Sequence, residues 1–167
     1  MSGAYSPMEK KLMELLDPLP ADALEANWSD AELTRQLAAK LGAAGREAGF
    51  WVGSPHWAKA DDPHWPLDLA WLEKAGGQLK RVPMVLGMEW GLQENQIIPQ
   101  FHKLLVSRAE VRVMALQQKT KQEAQARLEA LVRQIEAFGQ STPGDRYLLA
   151  CNDFKSAAFT FRLHVCP

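Results

Sequence analysis

Apolar residues recur along this chain in two rhythms, one of about 3.6 residues and one of two, and these rhythms divide it into helices and strands. Met8, Leu12, Leu15 and Leu16 follow the helical spacing, which predicts a short amphipathic helix near the start. Asp17, Pro18, Leu19 and Pro20 stop it, because proline cannot continue the backbone ladder. A second helix begins at Ser29, an N-cap with Glu32 three residues on to complete a capping box. Leu33, Leu37, Leu41 and Ala44 form its apolar stripe; Gly42 and Gly45 loosen its end, and Gly49 breaks it. Phe50, Trp51 and Val52 read as a short strand. Residues 53–65, rich in Pro, His, Trp and Asp, have no period and read as a loop.

A hairpin follows. Residues 67–73 form its first strand, Ala75, Gly76 and Gly77 its turn, and residues 82–90 its second strand. Alternation puts Val85, Gly87 and Glu89 on one side of that strand and Met84, Leu86, Met88 and Trp90 on the other. Asn95 caps the next helix, with Pro99 in its first turn and Ile97, Phe101, Leu104 and Leu105 on its apolar stripe. A strand at 111–116, a helix at 123–138 and strands at 147–151 and 158–165 complete the chain. The order predicts an α/β fold with one mixed central sheet flanked by helices. Residues 1–28 read as a helical appendage and 29–167 as one domain.

Composition changes this picture little. With 167 residues, 47% hydrophobic and 23% charged, the chain can build a full core without disulfides or a structural metal. No apolar run is long enough to cross a bilayer, and residues 1–11 lack the apolar core of a secretory signal, so a cytoplasmic protein without membrane contact is expected. Net charge is -1 but uneven: residues 1–95 carry 9 basic and 14 acidic side chains, residues 96–167 carry 10 and 6. That asymmetry permits nucleic-acid contact on one face without demanding it. Cys151 and Cys166 stand outside any CxxC spacing. Two partly buried thiols are the plainer expectation, and a disulfide requires the last strands to place them side by side. Gly-rich phosphate loops and GxSxG are absent, and no HExxH or Cys/His cluster suggests zinc. Of six tryptophans, Trp28, Trp57 and Trp65 are the candidates for an exposed surface; a loop Trp either stacks on a base or partner or covers the edge of the core.

The candidate chemistry lies in the hairpin. Asp68 near the start of one strand and Glu89 near the end of its partner are brought together by antiparallel pairing. Two carboxylates there either remain solvated or hold a hard divalent cation through oxygen, and such a cation could polarise a phosphodiester and activate water. Gln100, His102 and Lys103 on the following helix could add a phosphate contact or a proton-transfer group.

Asp68, the roughly twenty residues to Glu89, Trp90 and Gly91, the helix beyond and the strand opening at Val111 together resemble the restriction-endonuclease-like, or PD-(D/E)XK, superfamily. Its core of helix, three-stranded meander, helix and strand matches residues 30–116. The resemblance implies a metal-dependent nuclease hydrolysing phosphodiester bonds in DNA or RNA, with Mg²⁺ or Mn²⁺ on Asp68 and Glu89. The acid of the first helix would be Glu32, or less well Glu47. Arg108, Arg112 and Lys119 would contact nucleic acid, and a homodimer would cut two strands. The pattern also wants a carboxylate followed two residues on by Lys, Glu or Gln. Gly91 follows Glu89 at that spacing and Gly87 precedes it, so one group is missing. Lys103 could replace it from the helix, or Asp68 and Glu89 could act with water alone. In the other reading the site is dead and the fold serves as a partner- or nucleic-acid-binding module.

Overall fold

The computed structural model describes residues 4–167. In chain order the elements are helices α1 (Pro7–Leu16), α2 (Leu19–Glu25) and α3 (Asp30–Glu47), strands β1 (Trp51–Gly53), β2 (Leu69–Ala75) and β3 (Gln78–Glu89), then α4 (Glu94–Leu105), β4 (Val111–Gln118), α5 (Lys121–Ala137), β5 (Arg146–Asp153) and β6 (Ala158–Val165). The six strands form one mixed sheet in sequential order. β1–β2, β2–β3 and β5–β6 are antiparallel, whereas β3–β4 and β4–β5 are parallel and are joined by the crossover helices α4 and α5. The protein is thus α/β.

Alternation along β3 sorts its side chains as expected. Met84, Leu86, Met88 and Trp90 join the core under α1–α3, and Val85 joins the core under α4 and α5. β4 is buried along its whole length because both its neighbours are strands and both its faces carry helices. Every one of its residues is shielded, including Gln117 and Gln118.

Residues 4–28 form two helices, and Leu12, Leu16 and Leu19 sit in the core beneath the sheet. Glu9, fully buried, receives Arg146 of β5 in a two-pronged ion pair at 2.7 and 2.8 Å. α3 does not loosen at Gly42 and Gly45 but runs to Glu47. Those glycines make room for indoles: a Cβ would fall 2.4 Å from Trp57 at position 42 and 2.3 Å from Trp71 Nε1 at position 45. α4 is capped by Gln93, not Asn95, and carries Pro99 in its interior.

The tryptophans of the 53–65 loop cover the core rim. Trp57 packs beneath Arg46, whose guanidinium lies 4.7 Å from the ring centroid, and Trp65 lies over Gly53. Trp28 is partly buried against the same core, so of the three surface candidates none is fully exposed. Cys151 and Cys166 are both buried and unpaired. Burial pushes the Cys151 thiol up to about 12. Among the described residues, no helix is long and apolar enough to cross a membrane.

Candidate functional site

Asp68 immediately precedes β2, and Glu89 is the last residue of β3. Leu69 pairs with Leu86, so the start of β2 lies against the end of β3 and the two acids lie at the same end of the sheet. There Asp68 Oδ2 accepts from the Met88 backbone N–H at 2.6 Å. Its other oxygen, Oδ1, lies 2.8 Å from His56 Nε2. The loop after β1 is pinned by Ser54, whose hydroxyl donates to the Asp68 carbonyl at 2.6 Å and accepts from the His56 N–H at 3.1 Å. Both Asp68 carboxylate oxygens therefore already have partners. A hard cation would have to share or replace His56 to reach them.

Glu89 is committed locally. Its Oε1 accepts from the Gly91 N–H at 2.7 Å and closes the turn into α4. The two glycines that interrupt the nuclease-like pattern are closely covered. A Cβ on Gly87 would lie 3.3 Å from Leu104 Cδ1, tighter than ordinary contact, so a side chain there would require Leu104 to give by a few tenths of an ångström. A Cβ on Gly91 would fall 2.5 Å from Gln96 Cδ. A side chain there would drive Gln96 out of the cap, in which its Oε1 accepts from the Gln93 N–H at 3.2 Å.

The remaining candidates do not converge on this pair. α4 starts at the carboxylate end and runs away for 12 residues, about 18 Å. Lys103 lies in its last turn, where Nζ donates to Gln100 Oε1 at 3.1 Å. His102 is exposed on that same turn. Glu32 accepts from Arg35 and Gln36 on its own helix, and Glu47 ends that helix, exposed. Arg108 and Lys119 flank the two ends of β4, about 26 Å of strand apart. Arg112 is 5% exposed: its guanidinium lies over Tyr147 and 3.3 Å from Asp145. These cations make no common surface for a phosphate backbone. Among the described residues, no group of three or more His, Cys, Asp and Glu side chains is arranged to hold a metal ion.

His56 was missed as a partner of Asp68. Only its place in an irregular Pro- and Trp-rich loop hinted at a role, and nothing local tied it to a residue 12 positions away. A His–Asp pair can move a proton. Here the aspartate also anchors β3, and the pair links three chain segments.

At the other end of α4 lies a groove of about 590 Å³. Leu67, Leu79, Val82 and Val85 make its apolar walls, and Lys103 and Arg108 stand beside them. Leu79 and Val106, 50% and 74% exposed, lie on it and leave large apolar side chains in water. No family model, curated protein or solved structure matches this chain.

Proposed function

We propose that this chain is a catalytically degenerate protein on a restriction-endonuclease-like core, and that it works by binding a protein partner. Support for the core comes from element order: α3, the antiparallel β1–β2–β3, α4, then β4 parallel to β3. The observation that carries the degenerate reading is the state of Asp68. Its carboxylate is spent on His56 and the Met88 amide, beside a Gly87 pressed by Leu104. A two-carboxylate donor set in which both oxygens of one member already have partners does not suit Mg²⁺ or Mn²⁺, which favour several free oxygens.

A protein partner is favoured over DNA or RNA by the dispersal of the cations. Arg108 and Lys119 lie at opposite ends of β4, Arg112 is buried, and Arg81 is neutralised by Glu73 and Glu110. The apolar groove beside Lys103 and Arg108 has the character of a peptide site, with exposed aliphatic side chains near positive charge.

Calorimetry with millimolar Mn²⁺, paired with cleavage assays on single- and double-stranded DNA and RNA, tests the degenerate reading. The expected result is no saturable heat and no cleavage. Saturable Mn²⁺ binding that disappears in Asp68→Ala would restore a metal centre and return the nuclease to first place.

A further inference from the structure

The two edges of the sheet are treated differently. β1 is three residues long, and the following loop folds back along it. Val52 N–H donates to Asp61 Oδ2 at 2.8 Å, the Val52 carbonyl accepts from the Asp61 N–H at 2.8 Å, and the Ser54 N–H donates to the Asp62 carbonyl at 2.9 Å. That edge is closed. β6, at the other side, is eight residues long, pairs with β5 without a bulge, and contains no proline, glycine or lysine. Among the described residues, no backbone hydrogen bond from outside reaches its outer edge. Long, regular, unguarded edge strands are templates for a further strand.

We propose that β6 is a homodimer interface, in which a second copy of this chain adds its own β6 antiparallel to the first and extends the sheet across a two-fold axis. The choice of a second copy rests on self-complementarity. A two-fold interface pairs each residue with one on the same face, so a register centred on Phe161 sets Thr160 opposite the second copy's Arg162, and Phe159 opposite its Leu163. Thr160 and Arg162 line a groove of about 630 Å³ between α5 and β6, whose helical wall carries Leu128, Val132 and the exposed Glu129. α5 runs alongside β6 in the same direction, since each is antiparallel to β5. Glu129, at the midpoint of α5, lines the same groove as Thr160. In this register the second copy's Arg162 enters the groove beside Thr160 and meets Glu129, and symmetry repeats the pair. A register centred on Arg162 would oppose two like charges and is disfavoured.

This interface is independent of the chemistry at Asp68, which lies toward the other side of the sheet. Sedimentation velocity on the full chain, from micromolar to near-millimolar protein, tests it. The wild type is expected to pass from monomer to dimer as concentration rises. Arg162→Glu and Glu129→Arg, both at exposed positions that leave the fold intact, should each weaken the dimer about tenfold, and the double variant should regain most of that loss. A wild type that stays monomeric throughout would overturn the proposal. So would a dimer indifferent to both single reversals, or a double variant no tighter than the singles.

Discussion

Arg146 opens β5 and grips a carboxylate that the chain buries 137 positions earlier. Glu9 accepts both prongs of that guanidinium and the Ser6 N–H at 2.7 Å, and Ser6 Oγ accepts in turn from the Glu9 N–H. Burial pushes the Glu9 carboxyl upward, but the Arg146 hydrogen bonds and charge, with the Ser6 contacts, outweigh it and hold the group below its ordinary value of 4.5. A depressed carboxyl stabilises the fold above the ordinary value, and that contribution is lost as pH falls through the lower folded one. Glu9→Gln leaves Arg146 without its counter-charge and is expected to cost about 3 kcal/mol at neutral pH. Denaturant titration of both proteins along a descending pH series measures this: the gap between them should narrow as the medium turns acid. A gap that stays constant would mean that the carboxylate's charge contributes nothing.

At the scale of elements, α3 shows how a helix can be built around its neighbours' aromatic rings. Trp71 donates from Nε1 to the Leu41 carbonyl at 2.9 Å and lies against Gly45. Gly45→Ala should favour the isolated helix by about 1 kcal/mol, yet its methyl would overlap the buried indole. The net expectation is destabilisation of about 2 kcal/mol, read from the shift in denaturation midpoint. The sequence taken alone suggested the opposite role for this glycine, because helix propensity is local whereas the indole arrives from β2. The same division runs through the molecule. The sorting of β3 into two faces and the apolar stripe of α3 were legible, since each depends only on spacing within one element. That Asp68 and Glu89 share one end of the sheet was legible from hairpin geometry. The His56–Asp68 pair was not, because an irregular loop has no period from which to predict where it returns. Nor was the fate of Lys103: nearness in sequence to Glu89 suggested nearness in space, but a helix carries residues away from its start.

For the molecule as a whole, the consequence of α1 and α2 is that the sheet has no solvent-ready face. Leu12, Leu16 and Leu19 cover the same core to which Leu148, Ala150 and Phe159 contribute. An amphipathic pattern announces that a helix buries a stripe without saying against what, and this is why residues 1–28 read as an appendage. Removal of those residues should leave 29–167 without a cooperative calorimetric transition and with strong binding of a hydrophobic dye. A sharp transition in the shortened chain would show that the sheet needs no cover from the amino-terminal helices.

β4 carries a different consequence, one of timing. Both of its partners are parallel to it, and each is reached only through a helix, so it has no hairpin in which to pair early. β2 with β3, and β5 with β6, can zip up from tight connections, whereas β4 must wait for two wide chain excursions to close. Until then its eight residues, five of them apolar, stand unshielded on both sides. The interval between zipping and closure is when a nascent chain is most exposed to the wrong neighbour.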